Sequence, residues 1–184
     1  MGLKFQNITI SGGVGVGTTT LLNHLKPYLK PEGWKFKSAG QIIREYMREK
    51  IMPVATLVTD EYDRQIEAET KKLLQDDKHW IIEAWLAGFV AREFKDTLRI
   101  LLICSSEAIR IDRVVNRDGV SVEDAKKNIK MREEENFKKW KKIYGDYDFF
   151  DLKYYNLVID TYSRGPMETL GIVLDKLGYK TSTP

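Results

Sequence analysis

Short apolar runs alternate along the chain with longer segments in which apolar residues recur every three or four positions. The short runs predict β-strands and the longer segments predict amphipathic helices. The predicted strands cover 5–10, 34–37, 80–82, 98–104 and 155–159. The predicted helices cover 41–50, 60–75, 85–94, 107–116, 121–144 and 167–177, and a further helix begins near Thr18 and is ended or bent by Pro27 and Pro31. Alternating strands and helices favour an α/β fold with a five-stranded parallel sheet flanked by helices.

Length and charge limit the classes of protein that fit this pattern. The chain has 184 residues, 42% hydrophobic and 31% charged, which is typical of one globular domain. Without repeats or a linker-like tract, a single domain is expected over residues 1–184. The 30 basic residues nearly balance the 27 acidic ones, for a net charge of +3, so composition gives no argument for a nucleic-acid partner or a membrane surface.

Cysteine content and hydropathy point to an ordinary intracellular protein. Cys104 is the only cysteine, which excludes an internal disulfide and a cysteine-based metal cluster. The first residues do not read as a secretion signal, and no apolar run approaches the ~20 residues that span a bilayer. A cytoplasmic protein is expected, as a monomer or a homodimer.

The strongest chemical signal is the glycine-rich run from Gly12 to Thr19, between the first predicted strand and helix. Its spacing is that of a phosphate-binding loop: Gly12, four residues, Gly17, and then two positions that are normally Lys and Ser or Thr. Glycines let the backbone fold closely around phosphate oxygens, and the following helix adds free N–H groups. The predicted nucleotide-binding residues are Gly12, Gly13, Val14, Gly15, Val16, Gly17, Thr18, Thr19 and Thr20, with the Thr19 hydroxyl on Mg²⁺.

One position departs from the general motif. Thr18 stands where lysine normally reaches the β- and γ-phosphates, so this point charge is missing. The alternative interpretation of the run is a glycine-rich strand–helix turn without a ligand. The predicted strand before the run and helix after it favour the phosphate-binding loop.

Several segments, taken in order, resemble one family. The loop with Thr-Thr-Thr at 18–20, Ser-Ala-Gly-x-x-x-Arg at 38–44, the helix at 63–67, the basic segments around 110–117 and 132–144 and the strand at 155–161 are similar to those of archaeal-type cytidylate kinases. In that group threonine is common at the lysine position. The likeness runs from residue 4 to about residue 177.

The resemblance implies a P-loop NTPase three-layer fold with a helical lid. It further implies transfer of a phosphoryl group from ATP, with Mg²⁺, to a pyrimidine nucleoside monophosphate, CMP or dCMP first. The helices that bind the monophosphate are expected at about 39–77 and the lid at about 113–145. The residues expected to bind the acceptor are Ser38, Gly40, Arg44, Asp63 and Trp85.

Arginines are the residues expected to assist the transfer, because phosphoryl transfer needs positive charge around the migrating group. Arg44 is expected to hold the acceptor phosphate, since a planar guanidinium binds phosphate oxygens in pairs. Arg110, Arg113 and Arg117 lie at i, i+3 and i+7 on one predicted helix. They either surround an anion or pair with nearby carboxylates, and one of the three is expected only to pair. Arg113, Arg117 and Arg132, together with Arg44, are the predicted catalytic set.

Glu83 ends the third predicted strand. A carboxylate at the carboxyl end of a parallel strand next to the loop is placed to hold Mg²⁺ through water, and a helix-capping role is the alternative.

Two positions differ from the family pattern. Trp85 replaces an arginine that contacts the acceptor, and Lys139 replaces the second arginine of the lid. A tryptophan cannot pair with phosphate but can stack on a base. These changes keep two further functions open: a P-loop kinase for another small acceptor, and a nucleotide-binding regulatory protein with weak or lost catalysis.

Overall fold

Five parallel strands form one sheet in the computed structural model, which describes residues 3–40, 42 and 59–179. The strands are β1 (Asn7–Ser11), β2 (Lys35–Ser38), β3 (Trp80–Glu83), β4 (Thr97–Ile103) and β5 (Leu157–Asp160). Their order across the sheet is β2-β3-β1-β4-β5. In the register, Ile10 of β1 pairs with Glu83 of β3 and with Ile100 of β4. The predicted five-stranded parallel sheet is therefore confirmed.

Helices connect the strands. They are α1 (Thr18–Leu29), α2 (Asp60–Asp76), α3 (Ala87–Val90), α4 (Glu107–Asp118), α5 (Val122–Tyr144) and α6 (Pro166–Leu177), with a short 3₁₀ helix at Leu152–Tyr154. No helix in the described part of the chain is long and apolar enough to cross a membrane.

Apolar side chains cover both faces of the sheet. Successive strand residues point to opposite faces, so Ile81 packs with the leucines of α1 and α6, whereas Ile82 packs with Leu74 of α2. Helices on both faces give three layers, as predicted. The loops at the carboxyl ends of the strands consequently meet at one edge, where β1 and β3 end side by side.

The sequence-based boundaries of the strands, and of most helices, agree with the structure to within two residues. The predicted helix over 85–94 is wrong in length, because only Ala87–Val90 is α-helical. Beyond it the backbone bonds change to the i to i+3 type, with Arg92 N donating to Phe89 O and Phe94 N to Ala91 O. The Arg92 side chain also donates to Phe89 O, at 2.9 Å, which closes the helix after one turn.

Of the two prolines predicted to end or bend α1, Pro27 does not end it, whereas Pro31 follows directly after its C-cap Lys30. The helix continues through Pro27 to Leu29, and Lys30 N still donates to Lys26 O. Leu25 and Leu29, on either side of the proline, are fully buried in the main core. This packing holds the last turn in helical geometry despite the missing proline N–H. Apart from residue 42, the predicted helix over 41–50 lies outside the described residues.

Candidate functional site

A cavity of about 1190 Å³ opens at the carboxyl edge of the sheet. It is bounded by the glycine-rich loop, by the end of β3 and by α2, α4 and α5. Most of the predicted site residues line it: Gly13, Val14, Gly15, Val16, Gly17, Thr18, Thr19, Thr20, Gly40, Asp63, Glu83, Trp85, Arg113, Arg117 and Arg132. Gly12 and Ser38 are not among the lining residues, and Arg44 lies outside the described residues. The structure thus gathers residues from distant parts of the sequence around one space.

The backbone of the loop adopts conformations and close contacts that require glycine. Gly15 has φ 75°, in the left-handed region, and a Cβ there would lie 2.8 Å from Arg110 O. A Cβ at Gly12 would lie 2.7 Å from Leu102 O. Gly17 is the N-cap of α1 and no side chain caps this helix end. The first-turn N–H groups of α1 are therefore left to bind an anion, as expected for a phosphate-binding loop.

The two valines anchor the loop in the protein core. Val14 and Val16 are each 4% exposed, Val16 in the main core and Val14 between α4 and α5. Only their backbone is placed to contact a nucleotide. The alternation of valine and glycine thus combines a buried anchor with an open main chain.

Hydroxyl groups surround the Glu83 carboxylate, which is 8% exposed. Thr18 Oγ1 donates to Oε1 at 2.7 Å, and Ser38 Oγ donates to Oε2. Thr19 Oγ1 lies 3.4 Å from the same Oε1. The predicted Mg²⁺ residues Thr19 and Glu83 are therefore neighbours, and their hydroxyl and carboxylate oxygens are the ligand type that Mg²⁺ prefers.

Thr18 consequently does something different from the lysine of the general motif. Its side chain turns to the carboxylate at the end of β3 and satisfies one of its oxygens. Ser38, predicted as an acceptor contact, reaches the same carboxylate from β2. Both hydroxyls compensate the burial of a negative charge.

The three arginines of α4 each have protein partners. Arg110 donates to Val14 O at 2.9 Å and pairs with Glu133 of α5. Arg117 forms a double hydrogen bond with the neighbouring Asp118, and this ion pair raises the pKa of Arg117 and lowers that of Asp118. Arg110 and Arg117 thus each pair with a carboxylate in the structure.

Arg113 binds the protein backbone. Its guanidinium donates to Gly15 O at 3.1 Å and to the hydroxyl and carbonyl oxygens of Thr161, both at 2.9 Å. Arg132 reaches the cavity wall from α5. The catalytic roles of Arg44, Arg113, Arg117 and Arg132 stay predictions.

The helix α2 carries two carboxylates into the cavity, on the side where the sequence predicts that the acceptor binds. Asp63, 18% exposed, forms an ion pair with Lys139 of α5. Glu67, one turn further, accepts a hydrogen bond from the Tyr144 hydroxyl. Burial is the main cause that raises the pKa of both carboxyl groups above its ordinary value. Lys139, which replaces an arginine of the family pattern, thus still supplies a positive charge in the cavity.

Trp85 packs against other aromatic rings at the cavity wall. Its ring centroid lies 5.4 Å from that of Trp140 in an edge-on arrangement at 64°. It contacts the apolar cluster under α4 and α5 and the aromatic cluster around Phe89 and Phe149. The side chain is half-buried and lines the cavity, so stacking on a base remains the predicted role next to this packing.

Sequence reasoning missed two residues of this wall. Thr161 follows β5, is 6% exposed, and donates from Oγ1 to Val16 O at 2.9 Å. Glu67, like Thr161, lies in a segment that resembles the family but is not among the predicted site residues. The available signal was position: Thr161 lies at the carboxyl end of a strand, where parallel sheets place ligands.

Comparison with known proteins gives a consistent picture. The model of the cytidylate kinase-like family matches residues 32–163. A cytidylate kinase of Methanopyrus kandleri is 35% identical over 178 residues, which is 90% of this chain and 90% of that protein. A cytidylate kinase of Thermococcus sibiricus is 34% identical over 178 residues, covering 94% of this chain and 88% of that protein.

Solved structures share the fold at much lower identity. An uncharacterised protein from Eubacterium ventriosum has a TM-score of 0.70 at 12% identity and covers 95% of this chain and 99% of its own. Shikimate kinase from Acinetobacter baumannii, in complex with shikimate, has a TM-score of 0.56 at 16% identity. The match covers 97% of this chain and 96% of the shikimate kinase chain. The fold is thus that of P-loop kinases.

Proposed function

Because the chain belongs to the cytidylate kinase-like family, we propose that it transfers the γ-phosphoryl group of ATP to a pyrimidine nucleoside monophosphate, with CMP or dCMP as the acceptor. Family and fold together support nucleoside monophosphate kinase activity. One observation supports the proposal most strongly. The same cavity joins a phosphate-binding loop on one side to the carboxylates and Lys139 of the acceptor side on the other.

The chemistry that this arrangement serves is an in-line displacement. An oxygen of the acceptor phosphate attacks the γ-phosphorus of ATP, the bond to the β,γ-bridging oxygen breaks, and ADP leaves with that electron pair. The protein contributes little covalent chemistry in such a reaction. Its part is to align the two nucleotides and to place positive charge around the transferring group.

The loop and its arginines fit the donor. Backbone N–H groups between Gly13 and Thr19 would hold the phosphates of ATP, and Arg117 and Arg132 line the same space. Glu83 and Thr19 would hold Mg²⁺, which neutralises charge on the β- and γ-phosphates when bound. Closure of the predicted lid over the cavity would keep water away from the γ-phosphate.

The acceptor side fits a cytosine nucleotide by hydrogen-bond complementarity. Cytosine offers an exocyclic N4 amine, which donates, where uracil has an oxygen, which accepts. The carboxylates of Asp63 and Glu67 face the cavity and can accept from that amine. Trp85 would provide an aromatic surface for the base. A cytoplasmic location belongs to the same proposal.

Turnover with a panel of acceptors tests the function. ADP formation should depend on both Mg²⁺ and an added monophosphate, with CMP and dCMP ahead of UMP, AMP and GMP. Turnover that no monophosphate stimulates would contradict the proposal, and so would a preference for AMP or GMP.

A charge-removing variant tests the role of Glu83 in this reaction. Glu83→Gln should lower kcat by about 10- to 100-fold, because it removes the proposed carboxylate partner of the metal. The matched control is Glu32→Gln, an exposed position between α1 and β2, which should leave kcat unchanged. Equal kcat values for the two variants would show that Glu83 has no role in the reaction.

A further inference from the structure

Three consecutive carbonyl groups of the phosphate-binding loop are each held by a side chain from outside the loop. The contacts are Arg110 Nε to Val14 O at 2.9 Å, Arg113 Nη1 to Gly15 O at 3.1 Å and Thr161 Oγ1 to Val16 O at 2.9 Å. Two of the donors come from α4, and Thr161 directly follows β5. Every carbonyl in this stretch therefore has a fixed direction.

Two of the three donors are also bonded to each other. Arg113 Nη1 donates to Thr161 Oγ1 and Nη2 donates to Thr161 O, each at 2.9 Å. Thr161 is 6% exposed, and its hydroxyl oxygen lies 2.9 Å from Val16 O and 3.1 Å from Ile103 O. Because Ile103 O already accepts from Thr161 N at 2.8 Å, Val16 O is the carbonyl that still needs the hydroxyl as a donor. The guanidinium, the hydroxyl and the loop thus form one connected network in a mostly buried place, where hydrogen bonds are strong and directional.

The direction of a carbonyl fixes the direction of the next amide. A peptide unit is planar and trans, so its N–H points opposite to its C=O, and no cis peptide occurs among the described residues. Holding the carbonyl oxygens of Val14, Gly15 and Val16 outward therefore turns the N–H groups that follow them, those of Gly15, Val16 and Gly17 respectively, to the opposite side. The glycines make this loop flexible by themselves, because they restrict φ and ψ least.

We propose that Arg110, Arg113 and Thr161 are positioning residues that preorganise the phosphate-binding loop for the nucleoside triphosphate, by holding its carbonyl groups away from the phosphate site. The proposal rests on the proposed function, because it concerns the donor of that reaction. It gives Arg113 a role through the loop backbone in place of the direct contact with the transferring group that the sequence predicts.

Thr161 separates these two roles because its side chain carries no charge. In Thr161→Val the shape is kept and the hydroxyl is lost. One net hydrogen bond to the loop corresponds to about a tenfold change in affinity. The Kd of ATP, measured by calorimetry, and the KM for ATP should each rise about tenfold, whereas the KM for CMP should change less than twofold. Thr161→Ser keeps the hydroxyl and should restore both constants.

Arg113→Lys tests the guanidinium in the same way. The lysine keeps the positive charge but cannot hold Gly15 O and both oxygens of Thr161 together. It should raise the KM for ATP by about tenfold with a smaller change in kcat. In the double variant Arg113→Lys/Thr161→Val, the fold increase in the KM for ATP should be smaller than the product of the two single increases, since the two residues share one network.

The matched control is Arg99→Lys. Arg99 also donates from its guanidinium to two backbone carbonyls, Tyr154 O and Phe94 O, each at 2.8 Å, but away from the loop. Its variant should lose thermal stability without a change in the KM for ATP. A purely structural role for Thr161 would give the same pattern in Thr161→Val, with lower stability and an unchanged KM, and would overturn the proposal.

Failure of the proposal can be told apart from failure of the proposed function. If wild-type protein binds ATP and turns over CMP but Thr161→Val has the same Kd for ATP, only the positioning role is wrong. If Arg113→Lys lowers kcat alone, Arg113 contacts the transferring group and the positioning role is wrong. If wild-type protein neither binds ATP nor phosphorylates any monophosphate, the proposed function is wrong and the positioning role falls with it.

Discussion

At the scale of single residues, the threonine at position 18 explains how the loop accommodates a missing lysine. Thr18 Oγ1 donates to Glu83 Oε1 at 2.7 Å, while Ser38 serves the other oxygen of the carboxylate. A lysine that reached forward to a phosphate would leave Glu83 without this donor. The side chain at position 18 therefore stabilises the Glu83 carboxylate at the end of β3, in addition to forming part of the loop.

Removing that hydroxyl should cost stability. Thr18→Val keeps the shape of the side chain and leaves a buried carboxylate oxygen with one donor fewer, so the free energy of unfolding should fall by about 1–3 kcal/mol. Urea denaturation measures this difference. The control Thr20→Val changes an exposed position in the same helical turn and should shift the free energy of unfolding by less than about 0.5 kcal/mol. Equal losses in the two variants would show that Glu83 does not depend on Thr18.

At the scale of elements, the loop between β1 and α1 depends on a conformation that only glycine adopts easily. Gly15 has φ 75°, and a Cβ would meet Arg110 O at 2.8 Å. Gly171, inside α6, is the opposite case, because an added Cβ there meets nothing within 4 Å. The same substitution should therefore have opposite signs at the two positions.

Gly15→Ala should lower the free energy of unfolding by about 1–3 kcal/mol, because it combines backbone strain with a close contact to the backbone of α4. Gly171→Ala should raise it by about 0.5–1 kcal/mol, because alanine loses less conformational entropy in a helix. Thermal or urea denaturation of both variants checks the signs. Stabilisation by Gly15→Ala would mean that the loop does not have the described backbone.

The elements that sequence reasoning predicted well are those with a local signal. Strand and helix positions follow from hydrophobic periodicity, and the loop follows from glycine spacing between a strand and a helix. The early end of α3 could not be predicted, because the hydrogen bond from the Arg92 side chain to Phe89 O, which closes the helix, leaves no signal in the hydrophobic periodicity. Partners such as Arg113 and Thr161 were also out of reach, because they lie 48 residues apart and meet only through the sheet order.

At the scale of the whole molecule, three contacts join α2 on the acceptor side to α5, the predicted lid helix. They are the pairs Asp60–Lys142, at 2.7 Å, Asp63–Lys139 and Glu67–Tyr144. The first pair is exposed and contributes little. The other two are largely buried at the cavity. In each of them burial raises the pKa of the carboxyl group and the hydrogen bond to its partner lowers it, so both effects enter the free energy of unfolding.

The buried carboxylate of Glu67 should make the free energy of unfolding depend on pH. Burial, the largest cause, raises the pKa of Glu67 above its ordinary value of 4.5. The folded protein therefore keeps this proton to a higher pH than the unfolded chain does. Between the two pKa values unfolding releases a proton, so the free energy of unfolding falls as the pH rises above 4.5. Glu67→Gln removes this dependence and still offers an amide oxygen to the Tyr144 hydroxyl.

Urea denaturation from pH 4.5 upward compares the two proteins. The wild-type protein should lose stability relative to Glu67→Gln as the pH rises, and the difference should level off above the folded-state pKa of Glu67. Tyr144→Phe should extend the fall to higher pH, because the Tyr144 hydroxyl bond is the main factor that lowers this pKa against burial. Parallel curves for the wild-type protein and Glu67→Gln would show that Glu67 ionises in the folded protein as it does in the unfolded chain. In that case α2 and α5 would have to be further apart in solution than the Glu67–Tyr144 contact requires.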